Sequence, residues 1–256
     1  MCFMMFVSTI SAFNKKQNNF MFTTIKKHFL EQKFFFRKLI FINLSLSICL
    51  STLAQDSIYF RANENKDQLD AYYREDSKKF PEKGQILFVG SSSIKMWKNL
   101  PSYFPTHKVL PRGFGGSRMS DVLFHIQRLV IDYRPSQIVL YCGENDISNG
   151  VSPQDMVDDI KAFVRIIELQ LPGIPVLILS IKPSPLLFKL IKKQQEANKL
   201  IYEFSLRKPF VKFLDITGLM TDFKGIPKDS LYLEDRLHIR EKAYLLWAKA
   251  IEPHLK

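Results

Sequence analysis

The 256-residue sequence predicts an α/β protein, a three-layer α/β/α sandwich around a mostly parallel sheet of five strands. Three observations lead there. From Gln85 onward, short apolar runs alternate with longer amphipathic ones, the pattern of parallel strands joined by covering helices. A hydrophobic content of 46% supplies one sizeable core but not two. Polar or glycine-rich segments follow the first three runs, where such sheets hold their ligands, beyond the carboxyl ends of the strands.

Residues 55–84 are polar and charged, with a short helix expected over Asp67–Lys79. Buried strands are expected at Ile86–Val89, Lys108–Leu110, Ile138–Tyr141, Val176–Ile181 and Val211–Ile216. A helix over Ser120–Ile131 would turn Val122, Ile126, Leu129 and Val130 inward. The next starts at Ser152-Pro153, a capping serine before a proline that suits the first turn. On it Val157, Ile160, Val164, Ile167 and Leu171 share a face, and Pro172-Gly173 ends it. Two more helices are expected, over Leu186–Leu206 and Arg240–Ile251.

The N-terminal 54 residues read differently. They hold seven basic residues against one acid, so half of the net charge of +12 lies there. Arg37-Lys38 precedes the uncharged stretch Leu39–Ala54. As a helix these residues would reach about 24 Å, short of a bilayer core of about 30 Å. With small residues at Thr52 and Ala54, this is the form of a secretory signal peptide cut after Ala54. The expected division is a leader or membrane anchor at 1–54 and one folded domain at 55–256, in a secreted or periplasmic protein. The long basic n-region makes Met21 an alternative start. Leu46-Ser47-Ile48-Cys49 is a poor lipid-attachment box because Ile48 is bulky.

Cysteines are Cys2, Cys49 and Cys142, so a chain cut after Ala54 has no second thiol for an internal disulfide. No Cys/His group has metal-ligand spacing, and no cofactor or metal is expected. Residues 55–256 contain no basic stripe interleaved with aromatics, which argues against nucleic acid. Neither Gly-x-Gly-x-x-Gly nor Gly-x-x-x-x-Gly-Lys-Ser/Thr occurs, which argues against a nucleotide cradle.

Four segments carry chemistry. Gly90-Ser91-Ser92-Ser93 follows the first strand, where a serine at a helix start has backbone N–H groups beside it; such a turn also serves as a cap or anion loop. Gly115-Gly116 follows the second, where a backbone N–H can approach an oxyanion, although by itself this segment reads first as a plain flexible turn. Gly143-Glu144-Asn145-Asp146 follows the third, and Asn145 can offer a neutral amide or organise an Asx turn. Leu231–His238 sets Asp235 three residues before His238, close enough to orient the ring and stabilise its charged form. Of the other histidines, His28 lies in the leader, His107 and His254 read as surface residues, and His125 packs within its helix.

In this order the segments resemble the four blocks of the SGNH hydrolases, the GDSL-type esterases and lipases. The resemblance spans Gly90 to His238 and implies a flavodoxin-like fold. It assigns Ser92 as nucleophile, His238 as general base and acid, and Asp235 as its orienter. It assigns the Ser92 and Gly116 N–H groups and the Asn145 side chain to the oxyanion hole. Trp97 stands where members often carry an aromatic residue. Two positions depart from the pattern: Ser91 replaces the usual aspartate, and Arg236 stands inside Asp-x-x-His.

The expected function is a secreted serine ester hydrolase with an acyl-enzyme intermediate. Its substrate would be a small-molecule or carbohydrate ester with a short acyl group such as acetyl. It would meet a membrane only through an uncleaved leader. A lipase or lysophospholipase of the same fold and an inactive glycan-binding module are the alternatives.

Overall fold

The computed structural model describes residues 66–256. The leader and its cleavage site, and Met21 with them, lie outside the described residues.

Five strands form one parallel sheet: β1 (Ile86–Gly90), β2 (Val109–Gly113), β3 (Gln137–Tyr141), β4 (Val176–Leu179) and β5 (Val211–Leu214). Their order is β2-β1-β3-β4-β5. After β2 the chain returns to the other side of β1. The crevice between β1 and β3 is therefore the switch point at which such sheets bind ligands.

Side chains alternate across the strands and split the core in two. Leu87, Val89, Ile138, Leu140 and Ile178 face one layer. It is completed by helices α1 (Lys66–Lys78), α3 (Met119–Phe124), α4 (Ile126–Leu129), α6 (Pro153–Gln170) and α7 (Ile191–Ser205). Ile86, Phe88, Val139, Tyr141 and Leu179 face the other, which α2 (Ser92–Lys95), α8 (Thr217–Met220) and α9 (Glu241–Ile251) cover. A further short helix, α5 (Glu144–Ser148), caps β3. The expected α/β/α sandwich is the observed architecture.

Ser152 caps α6 by accepting from the Asp155 N–H at 3.1 Å, and every residue of the expected apolar face is buried. β4 and β5 end two residues before the expected Ile181 and Ile216, and three elements differ further from expectation. β2 runs on through Pro111 to Gly113, because it is an edge strand and the missing proline N–H disrupts no central ladder. The helix expected over Ser120–Ile131 breaks at His125, whose ring packs edge-on against Phe114 and Phe124. The helix expected from Leu186 begins only at Ile191, after a 3-10 turn over Phe188–Leu190, and the Leu186 N–H bonds to the Arg236 carbonyl at 3.1 Å.

A buried cluster ties α1 to the edge strand. Arg112 reaches Asp76 at 2.6 Å and the Tyr133 hydroxyl at 2.8 Å, and Tyr133 donates to the same carboxylate. Cys142 is buried and free. Among the described residues no helix is long and apolar enough to cross a membrane, and no group of three or more His, Cys, Asp or Glu residues forms a metal site.

Candidate active site

The first strand fixes the serine turn. Gly90 has φ of +138°, and a Cβ there would lie 1.9 Å from the Tyr141 carbonyl oxygen, so the position requires glycine. The Ser91 N–H donates to that carbonyl at 2.9 Å, locking the turn against β3. The three serines then separate by environment. Ser91 and Ser93 are buried, at 1% and 2% exposure, whereas Ser92 begins α2 at the surface edge. As the first residue of a helix, Ser92 has no intrahelical acceptor for its N–H. The Tyr244 hydroxyl donates to the Ser93 carbonyl at 2.9 Å, pinning α2 to α9. Trp97 lies in this layer, stacked on Tyr244 with ring centroids 4.8 Å apart; it is core, not site.

The turn after β2 is held from several directions. Gly116 has φ of +75°, and Gln68 of α1 accepts from the Gly115 N–H at 2.8 Å. The Asn145 amide donates one N–H to the Ser117 carbonyl at 2.9 Å, which fixes the amide and leaves its second N–H uncommitted by that bond. Asp146 accepts from the Met119 N–H at 3.0 Å. Asn145 and Asp146 thus join the ends of β2 and β3. Burial pushes the Asp146 carboxyl up to about 7, against the lowering effect of that N–H.

The C-terminal loop brings the imidazole to the serine. His238 Nε2 lies 3.1 Å from Ser92 Oγ, and Nδ1 lies 2.6 Å from Asp235 Oδ2. The other carboxylate oxygen of Asp235 accepts the Leu237 and His238 N–H groups, each at 2.9 Å. Partial burial pushes the Asp235 carboxyl up, but the ring and these two N–H donors outweigh it and bring it down to about 2. Asp235 is therefore a charged acceptor that orients the ring tautomer with Nε2 toward the hydroxyl. Arg236 bends the loop at φ of +59°, and its exposed guanidinium turns to Asp229 at 3.1 Å.

The structure thus brings Ser92, His238 and Asp235 into one hydrogen-bonded file, with the Gly116 turn and Asn145 on the neighbouring strand ends. Sequence reading missed the residues that brace them. Glu144 and Lys182 form a buried ion pair at 2.7 Å. The signal was a lysine directly after an apolar strand, in Ile181-Lys182-Pro183.

The GDSL-like lipase/acylhydrolase family model matches residues 90–246. The chain is 28% identical over 181 residues to the platelet-activating factor acetylhydrolase IB subunit alpha2 of Gallus gallus, covering 66% of this chain and 73% of that one. Among solved structures, a GDSL-like lipase from Bacteroides thetaiotaomicron superposes with a TM-score of 0.62 at 18% identity, over 73% of this chain and 96% of its own. An acetyl xylan esterase from Geobacillus stearothermophilus gives 0.55 at 12% identity, over 66% and 94%. The structural likenesses speak for the fold and the family match for the chemistry: this chain belongs to the GDSL-like lipase/acylhydrolase family, within the SGNH hydrolases, and is an ester hydrolase.

Proposed function

We propose that the protein is an exported serine esterase that removes short acyl groups, acetyl foremost, from small-molecule or carbohydrate esters. Ser92 is the nucleophile, His238 the general base and acid, and Asp235 the group that orients and stabilises the imidazole. The observation that carries this reading is the file Ser92 Oγ–His238 Nε2–Nδ1–Asp235 Oδ2, at 3.1 and 2.6 Å. A serine hydroxyl is a poor nucleophile until a neighbouring base takes its proton.

In the reaction, Ser92 Oγ attacks the ester carbonyl carbon while its proton passes to His238 Nε2. Negative charge develops on the carbonyl oxygen, where the Ser92 and Gly116 N–H groups and the Asn145 amide receive it. Each such donor is worth about 3 kcal/mol in the transition state. Collapse breaks the bond to the alcohol oxygen, which leaves with the proton from His238. Water then adds to the acyl group on Ser92, with His238 accepting its proton, and the carboxylic acid departs.

Preference for acetyl draws on the acetylhydrolase and acetyl xylan esterase among the similar proteins. Export draws on the basic, then apolar, leader at 1–54. Turnover of p-nitrophenyl acetate by the purified protein, and its loss in a folded Ser92→Ala variant, is the expected result. Undiminished turnover in that variant would refute the assignment.

One observation favours a longer acyl chain. Leu186 and Phe188, 52% and 37% exposed, lie on the segment bonded to the Arg236 carbonyl, beside the His238 loop. Faster hydrolysis of p-nitrophenyl decanoate than of the acetate would make this the better reading.

A further inference from the structure

Lys182 is fully buried, at 0% exposure, three residues beyond Leu179 at the end of β4. Its ammonium donates to both oxygens of Glu144, at 2.7 and 2.8 Å, and to the Leu237 carbonyl at 2.9 Å. An ammonium has three N–H donors, and all three are used. The two acceptors belong to different parts of the site. Glu144 is the first residue of α5 and the neighbour of Asn145, whereas Leu237 stands between Asp235 and His238. The Leu237 N–H already donates to Asp235, so its peptide groups are fixed on both sides.

Stability gives no reason for such a pair. Removing two charges from water costs several kcal/mol per ion, and apolar residues of like volume often serve as well or better. The segment that presents Lys182 is also held firmly: Asn198 of α7 bonds both the N–H and the carbonyl of Ile181, at 2.8 and 3.0 Å, and the Tyr232 hydroxyl donates to the Pro183 carbonyl. A rigid, buried cation thus joins the segment carrying the amide donor to the loop carrying the base.

We infer that Lys182 is a positioning residue for the reaction: through Glu144 and the Leu237 carbonyl it sets the His238 ring and the Asn145 amide on opposite sides of one reacting carbonyl. The inference rests on the assignment of Ser92, His238 and Asp235 given above. It places the effect of Lys182 on kcat, since misplacement by about 1 Å at the reacting groups lowers rate by as much as about 100-fold.

The test compares Lys182→Met with the double variant Lys182→Met/Glu144→Gln, which leaves no buried charge behind. The single variant should melt at lower temperature, because Glu144 loses its partner. The double variant should recover the melting temperature of the parent within a few degrees. Its kcat for p-nitrophenyl acetate should stay roughly 10–100-fold below the parent, with KM within about threefold and fluorophosphonate labelling slowed in proportion. If Lys182→Met fails to fold, the double variant decides. Recovery of parental kcat together with stability in the double variant would overturn the inference and reduce Lys182 to a core residue. Ser92→Ala, assayed alongside, separates the two claims. Its inactivity beside a fully active double variant refutes only the role of Lys182, whereas an active Ser92→Ala refutes the site assignment and this inference with it.

Discussion

Ser92, Gly116 and Asn145 stand at the ends of three adjacent strands, β1, β2 and β3, whereas Asp235 and His238 stand in a loop closed by the isolated bridge between Tyr232 and Ile239. The first half is positioned by close backbone approach, with hydrogen bonds from Gln68, Asn145 and Asp146 added to it. At Gly90 even a methyl group would meet a carbonyl oxygen at 1.9 Å. The second half is positioned by discrete hydrogen bonds: Leu233 N–H to the His238 carbonyl at 2.7 Å, Leu237 and His238 N–H to Asp235, and Lys182 to Leu237. The difference teaches that the two halves fail differently. Steric change on the strand side should cost the fold, whereas a single lost bond on the loop side should cost rate first.

The carboxylates of the two halves make the same point. Asp235 is half-exposed and held at about 2 by its donors, whereas Asp146 is pushed up to about 7 by burial. The donors that surround Asp235 keep it charged at any working pH. A carboxyl raised this far on the strand side would change charge near neutrality.

The largest effect should come from the loop half. His238→Ala should lower kcat/KM for p-nitrophenyl acetate by roughly 10³–10⁴-fold while leaving the melting temperature near that of the parent. A large loss of stability instead would erase the contrast. On the strand side, Asn145→Ala should lower kcat by about 10²–10³-fold with KM nearly unchanged; an effect on KM alone would place the amide in ground-state binding. Gly90→Ala should destabilise the fold by about 3 kcal/mol or more in denaturant titration, and an unchanged midpoint would show that β1 and β3 can separate locally.

The smallest effect concerns pH. A folded-state carboxyl raised to about 7 keeps its proton where the unfolded chain has lost it, so the native state binds more protons between about pH 4 and 7. Its contribution to stability is present below the unfolded value and disappears as pH rises through about 7. Asp235 has the opposite sign, adding stability above its unfolded value that disappears only as pH falls toward about 2. Stability should therefore decline from pH 5 to 8 in the parent, and Asp146→Asn should flatten that slope. A slope unchanged by the substitution would assign it to other groups.

Legibility in the sequence followed the same division. Strand runs and helix faces were readable because burial imposes periods of 2 and 3.6 on residues such as Ile86–Val89 and Val157–Ile167. The segments that hold Ser92, Asn145, Asp235 and His238 were visible as short-range patterns. The residues alone did not rank the three consecutive serines, since their burial depends on where α2 begins relative to β3; only the resemblance singled out Ser92. The continuation of β2 through Pro111 required knowing that β2 is an edge, which is a property of strand order. Lys182, Glu144 and Gln68 were not legible as braces, because each acts on a group distant in sequence. Gln68 bonds Gly115 from 47 residues away, and Lys182 bonds Leu237 from 55.

The central claim is that one hydroxyl of the three is activated by His238. Mass spectrometry of the intact protein and its peptides after fluorophosphonate treatment tests it most directly. A single adduct on Ser92 in the parent, absent from His238→Ala, is the predicted result. An adduct on Ser91 or Ser93, or no adduct in a folded and ester-cleaving protein, would contradict it.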